Sequence, residues 1–226
     1  MRKITFLVSL CIAILLSGCT LNQQPDITIP ASKVPVEPGD KMKVHFINVG
    51  QGDSILVQSP NGKNLLVDGG TKDAGKDVVN YLRKHGVEKL DYVVATHPDA
   101  DHIGGLHSVL NSISIKNFVD SGKTHTSQTY EEMLQLILDK NIPFIVPKTG
   151  DTIPLDEELD ISVIHMGDKS ADNNEASIVL KLSYGETSFL LMGDADIRVE
   201  KDILEETNVK ATVLKAGHHG SDTSSS

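Results

Sequence analysis

The chain of 226 residues has no tryptophan, two cysteines and only 4% aromatic residues. Each scarcity closes off a class of function. Both cysteines, Cys11 and Cys19, fall within the first nineteen residues. The rest of the chain therefore holds no disulfide framework, thiolate zinc site or cysteine nucleophile. So few aromatic rings argue against a platform on which nucleic-acid bases stack. Positive charge is also short: 21 Lys and Arg stand against 31 Asp and Glu, a formal net charge of −10. Such a chain does not attract polyanions through its overall field. An acidic substrate has to be drawn in locally, by a bound cation or a small basic patch. The sequence has no G-x-S-x-G serine elbow and no Walker loop. Gly50-Gln51-Gly52 is followed by another strand pattern, not a helix, which argues against a dinucleotide fold. What remains is a globular composition, with 39% hydrophobic and 23% charged residues, long enough for one domain with a sizeable core.

Arg2 and Lys3 precede an apolar stretch from Ile4 to Leu16. The stretch is too short for a comfortable membrane span and has the pattern of a signal peptide. It ends in Leu16-Ser17-Gly18-Cys19, which resembles a bacterial lipobox. That resemblance implies a signal peptide over 1–18, a lipid on Cys19 and a location at the extracytoplasmic face of the bacterial membrane. Residues 19–41 are proline-rich and without apolar periodicity, as in an extended tether. The folded domain is expected over 42–226.

Within it, strands are expected at Met42–Val49, Ser54–Gln58 and Asn64–Val67, with Asn61-Gly62 as a hairpin turn. Further strands are expected at Asp91–Ala95, Ile113–Val119, Phe144–Val146, Asp160–His165, Ser177–Leu182, Ser188–Met192 and Ala211–Lys215. Helices are expected at Asp73–His85, His102–Leu110, Tyr130–Asp139 and Ile197–Glu206. Strand hairpins followed by interleaved helices predict a mixed α/β sandwich whose loops carry the site.

Four of the nine histidines sit in two polar clusters. The first is Thr96-His97-Pro98-Asp99-Ala100-Asp101-His102, directly after a buried strand. In extended chain His97, Asp99 and Asp101 point to one side; His102 then opens a helix, and Gly104-Gly105 allow close backbone approach. Asp99-Ala100-Asp101 alone could be a turn or helix cap, and its offsets exclude an EF-hand. The full HPDADHIGG run points to a metal, and imidazole with carboxylate suits zinc, manganese or iron. The second cluster is His218-His219. His45, His85, His107 and His125 fit ordinary strand, helix-end, helix-flank and loop positions.

These motifs, with VGQGDS at Val49–Ser54, LLVDGG at Leu65–Gly70 and KAGHHGS at Lys215–Ser221, resemble the metallo-β-lactamase fold superfamily. The branch they resemble is the hydrolase domain of ComEC-type competence proteins and its stand-alone relatives. The superfamily signature is His-x-His-x-Asp-His, so Asp99 replaces a histidine. The resemblance implies an αββα sandwich, a divalent metal site, two ions of zinc or manganese, and His97, Asp99, Asp101, His102, Asp194 and His218 as ligands. It assigns Asp68 to orienting the site and Asp194 to bridging the ions. Asp101 and His219 are the expected catalytic residues, with His219 a substrate-facing acid. A histidine expected before the strand at Ser177 is missing. Asn173-Asn174 stand there, and His165 is the nearest imidazole. The resemblance also implies a further strand and helix after KAGHHGSDTSSS, so the domain is expected to be C-terminally incomplete.

The expected function is a lipid-anchored, metal-dependent phosphodiesterase or nuclease, with DNA as the favoured substrate. The alternatives are hydrolysis of a cell-envelope ester or small phosphodiester, and a catalytically silent binding module.

Overall fold

Consecutive apolar residues mark the central strands, because both faces of each are covered. In the computed structural model, which describes residues 41–167, 172–206 and 209–225, Leu56, Leu66, Val93 and Ala95 point to one hydrophobic cluster, while Ile55, Val57, Leu65, Val67 and Val94 point to another. The signal peptide, Cys19 and nearly all of the tether lie outside the described residues. No helix among those described is long and apolar enough to cross a membrane.

The elements run β1 (Lys43–Phe46), β2 (Ile55–Gln58), β3 (Asn64–Val67), α1 (Gly75–Lys84), β4 (Lys89–Leu90), β5 (Tyr92–Ala95), α2 (Ala100–Ile103), α3 (Leu106–Ser112), β6 (Ser114–Ile115), β7 (Phe118–Asp120), α4 (Gln128–Asp139) and β8 (Phe144–Ile145). They continue with β9 (Asp160–Met166), β10 (Ile178–Tyr184), β11 (Thr187–Leu191), α5 (Ile197–Glu206) and β12 (Val213–Lys215). One sheet has the order β1-β2-β3-β5-β7-β8 and a second β12-β11-β10-β9. The sheets face each other across Ile55, Val57, Leu65, Val67, Val94, Ile161, Val163, Ile178, Leu180 and Leu182. On the outer face of the first sheet, α1, α3 and α4 contribute Val78, Leu82, Leu106, Val109, Met133 and Ile137. On the outer face of the second, α5 packs Val199 and Ile203 against Val179 and Leu190. This is the αββα sandwich. Each fully buried aliphatic side chain contributes about 1.5–3 kcal/mol through removal from water.

Two elements differ from their expected form. The helix expected at His102–Leu110 is two, α2 and α3, parted at Gly104-Gly105. There the Gly105 N–H donates to Gly70 O at 2.8 Å. A Cβ on Gly105 would lie 1.9 Å from Gly69 O, so only glycine allows this packing. The strand expected at Ile113–Val119 also divides. β6 pairs in parallel with β4 in a separate two-stranded sheet, and β7 enters the main sheet.

β3, β5 and β7 are parallel, so their C-terminal ends share one edge. Asp68 and the Thr96–His102 segment leave that edge. β11 and β12 are also parallel and deliver Asp194, Lys215 and His219 from the second sheet. The Ile178 N–H donates to Thr96 O at 3.0 Å, tying the two sets of loops together.

Candidate metal centre

Three imidazoles meet where the two sheets end, each held by its outer nitrogen and presenting Nε2 inward. His102 Nδ1 donates to Asp68 Oδ2 at 2.8 Å. His97 Nδ1 lies 3.1 Å from Thr96 Oγ1, and His219 Nδ1 faces Asp53 Oδ1 at 3.4 Å. An oxygen behind each ring fixes its orientation and tautomer.

Asp68 is fully buried. Its backbone is left-handed, with φ at 58°, a conformation Asp tolerates better than most residues. The turn brings its carboxylate back over β5. Oδ1 accepts from Thr96 N at 2.9 Å and Oδ2 from Thr96 Oγ1 at 2.7 Å. Asp68 therefore stands behind His102. Gly52, with φ at 98°, lets the 50–53 loop press on α2; a Cβ there would sit 1.8 Å from Asp101 O.

The inward atoms are separated by distances that suit ligands around an ion. His102 Nε2 lies 3.2 Å from Asp194 Oδ1 and 3.4 Å from His219 Nε2. His219 Nε2 lies 3.3 Å from Asp194 Oδ2 and 3.5 Å from Asp101 Oδ2. Ligands about 2.0–2.2 Å from a tetrahedral ion stand roughly 3.3–3.6 Å apart. On the other side of Asp194, His97 Nε2 is 3.6 Å from Asp99 Oδ2 and 3.8 Å from Asp194 Oδ2. His97 Nε2 is buried without a hydrogen-bond partner, and Asp194 Oδ1, also buried, meets only the ion-pair approaches of His102 and Lys215. Orphaned groups of this kind are costly inside a protein, and a cation satisfies both. The residues present thus fit a divalent metal.

Electrostatics agree. Asp53, Asp68, Asp99, Asp101 and Asp194 crowd one small volume, into which Lys215 brings an ammonium. Burial alone would lower the His102 pKa, but Asp68 and Asp194 outweigh it and push it up to about 10. Burial works to raise Asp194, yet His102, His97 and Lys215 hold it well below the usual carboxylate range. Asp68 is lowered too, with His102 and His97 overcoming its burial. Asp99 is lowered chiefly by His97 and also by Asn173, against its desolvation. The centre is thus a strong acceptor of positive charge. Metal binding would displace the proton on His102.

The structure corrects the expected histidine order. His219, not His218, reaches the cluster. His218 and His219 are successive left-handed residues, with φ at 44° and 54°. This turn swings His218 away, where its Nδ1 lies 2.9 Å from Thr223 Oγ1. The His219 Nε2 faces His102, Asp101 and Asp194, so its inward nitrogen is not the substrate-facing acid expected of it. Asn173 donates to Asp99 Oδ1 at 2.6 Å and so steadies the carboxylate that replaces a histidine. Asn174 accepts from Ser177 N through its backbone. His165 lies in β9 opposite Val179.

Sequence reasoning does not reach Asp53 and Lys215. Asp53, His102, Asp194 and His219 offer atoms all within 4.8 Å of one another. Asp53, however, is ion-paired through Oδ2 to Lys215 Nζ and faces the outer nitrogen of His219 through Oδ1. It therefore orients His219 as Asp68 orients His102. Lys215 Nζ also donates to Gly193 O at 2.7 Å and lies 3.7 Å from Asp194 Oδ1. Both residues sit inside recognisable segments, VGQGDS and KAGHHGS. Their chemistry shows only when the two sheets bring them together.

The metallo-β-lactamase superfamily model matches residues 47–226. ComE operon protein 3 of Bacillus subtilis is 29% identical, with 79% of this chain and 25% of that protein covered. Competence protein ComA of Neisseria gonorrhoeae is 29% identical, with coverage of 84% and 25%. Ribonuclease Z of Aeropyrum pernix is 28% identical, with coverage of 70% and 49%. The chain spans about a quarter of the length of the two competence proteins. Among solved structures, the metallo-beta-lactamase fold protein YhfI of Bacillus subtilis shares the fold at a TM-score of 0.53 and 19% identity, covering 76% of this chain and 69% of that one. With the model matched over residues 47–226, every element of the sandwich after β1, the chain belongs to the metallo-β-lactamase superfamily.

Proposed function

We propose that the chain is a metal-dependent phosphodiesterase acting on DNA or a related phosphodiester, held at the extracytoplasmic face of a bacterial membrane by a lipid on Cys19. The observation that carries the reading is the convergence of three inward Nε2 atoms on Asp101, Asp194 and Asp99. Superfamily members are generally metal-dependent hydrolases. Relatives named as competence proteins and as a ribonuclease favour a nucleic-acid substrate.

His97, Asp99 and Asp194 face one side, and Asp101, His102, His219 and Asp194 the other. This division suits two ions sharing Asp194. A bound dication supplies Lewis acidity and makes a water acidic enough to ionise near neutral pH. The protein supplies the rest. Asp68, Thr96 and Asp53 fix the rings before substrate arrives, so little reorganisation is needed during reaction. Asp101 is 28% exposed, the most open group around His219. Its Oδ2, to which Gln51 Nε2 donates at 3.3 Å, would hold an ion, and we assign its other oxygen to accept the proton of an attacking water.

Three carboxylates against three imidazoles make an oxygen-rich set, which suits manganese, although zinc binds more tightly in general. Metal-free protein reconstituted with each ion, assayed on bis-p-nitrophenyl phosphate and on single-stranded DNA, is expected to turn over with manganese at least as fast as with zinc. Asp99→Ala and Asp99→His should both slow the manganese enzyme. Absence of hydrolysis with either ion overturns the reading. For the anchor, Cys19→Ala is expected to lose metabolic lipid labelling and membrane association; unchanged labelling rules the anchor out.

A further inference from the structure

Against the net negative charge of the chain, one groove stands out. It lies between α1 and α3, has a volume of about 520 Å³, and is lined by Lys72, Lys76, Arg83 and His107 together with neutral polar residues such as Asn80 and Asn111. Among the described residues, no carboxylate and no exposed large hydrophobic lines it. Glu132 stands at its margin, 3.6 Å from Lys72 and 3.7 Å from His107. Lys72, Lys76 and Arg83 are exposed. Arg83 donates through Nη2 to Ser112 O at 3.3 Å.

The spacing follows from the helix. Lys76, Asn80 and Arg83 recur at i, i+4 and i+7, so they share a face of α1. Lys76 and Arg83 are then about 10 Å apart along the axis, the rise of roughly three stacked nucleotides. Asn80, Ser108 and Asn111 add donors of the type that bind phosphate and sugar oxygens without reading sequence. The groove is also joined to the metal centre. α2, which bears Asp101 and His102, is followed directly by α3, which bears His107 and Asn111, and the Gly104-Gly105 break between them packs on the Gly69–Lys72 segment that leads from Asp68 into the groove. A Cβ on Gly104 would lie 2.6 Å from Lys72 N, so the base of the groove packs on the same turn.

We propose that this groove guides the phosphate backbone of a single nucleic-acid strand to the metal centre. The proposal rests on the phosphodiesterase reading above and names its substrate as a polymer, not a small ester. With no aromatic platform in the lining, binding is sequence-independent, salt-sensitive and modest. An anionic membrane surface is the competing occupant, but the groove lacks the apolar rim that would insert into lipid.

The test is anisotropy of a fluorescein-labelled oligothymidylate with the full chain in EDTA, across a potassium chloride series. Lys76→Glu/Arg83→Glu is expected to weaken binding at least tenfold and to flatten the log–log salt slope by about 1.4, which is about 0.7 for each phosphate no longer neutralised. Lys201→Glu, on α5, should bind as wild type does. Equal binding by the double variant, or no binding by wild type, overturns the proposal. Preferential binding of phosphatidylglycerol vesicles, abolished in the same double variant, also overturns it. Both substituted side chains are exposed, and circular dichroism melts should match wild type. Hydrolysis of bis-p-nitrophenyl phosphate by the reconstituted protein separates the two readings. If the groove variant keeps wild-type rates yet no longer binds the oligonucleotide, both stand. If wild type is inactive but the variant's binding is weakened, only the phosphodiesterase reading fails. If wild type is active and the variant binds normally, only the groove fails.

Discussion

Asp194→Asn is expected to leave a folded protein that no longer holds metal. Asp194 is buried, and its two oxygens face three different imidazoles: His102 at 3.2 Å, His219 at 3.3 Å and His97 at 3.8 Å. No other carboxylate in the centre touches both sides. Replacement by the amide keeps the shape and removes the charge that both sides share. Outer residues that merely orient a ligand change metal affinity about 10- to 100-fold, so loss of the shared ligand should exceed about 100-fold. Competition against a chelator measures it, with manganese and zinc titrated separately. The backbone hydrogen bond from Asp194 N to Ser177 Oγ at 3.0 Å does not depend on the side chain. The metal-free protein should therefore still fold, with a lowered melt, because His102, His97 and Lys215 lose the carboxylate that they hold ionised. Unchanged affinity in Asp194→Asn would falsify the shared-ligand role. Retention of two tightly bound ions would remove it as well.

How far the sequence reaches depends on how local each determinant is. His97, Asp99, Asp101 and His102 are legible because one strand end places them within six residues. Their convergence needs only the pleat and the first turn of α2. Asp194 is legible as a carboxylate at a strand end in the right order along the chain. The choice between His218 and His219 is not, because neighbours of identical chemistry are told apart only by backbone. Here the two left-handed residues and the Thr223 contact decide it. Asp53 and Lys215 leave no local pattern, since one precedes β2, the other ends β12, and separate sheets carry them. The same holds for the fold. Apolar runs in β2, β3 and β5 are plain, whereas β4 and β6, two residues each, are too short to show a period. The break between α2 and α3 is written in two glycines, but its cause is contact with Gly69 and Gly70, which periodicity does not reveal.

Lys215→Met should be the most destabilising substitution in the centre that touches no imidazole. The Lys215 and Asp53 side chains are only 10% and 12% exposed, and the ammonium joins Asp53, Gly193 O and the edge of Asp194. Methionine keeps most of the aliphatic stem, so little packing is sacrificed. What remains is a buried Asp53 carboxylate among other carboxylates, without its counter-charge. Removing one partner of a buried pair costs about 3–5 kcal/mol, far more than the pair contributes over a neutral replacement. For a domain of this size, that lowers the melting temperature in EDTA by roughly 6–20 °C. Adding Asp53→Asn removes the stranded charge, so the double variant should recover most of the loss, and the cycle should be strongly non-additive. Metal ought to stabilise Lys215→Met more than wild type, because a cation in the centre offsets the missing ammonium. Asp53→Asn alone also separates its two readings. If it orients His219 from behind, metal affinity falls about 10- to 100-fold; a direct ligand would match the larger loss of Asp194→Asn. A Lys215→Met protein that melts within about 2 °C of wild type in EDTA, well short of the shift above, would show that the pair is solvated and that Asp53 needs no counter-charge to hold His219 in place.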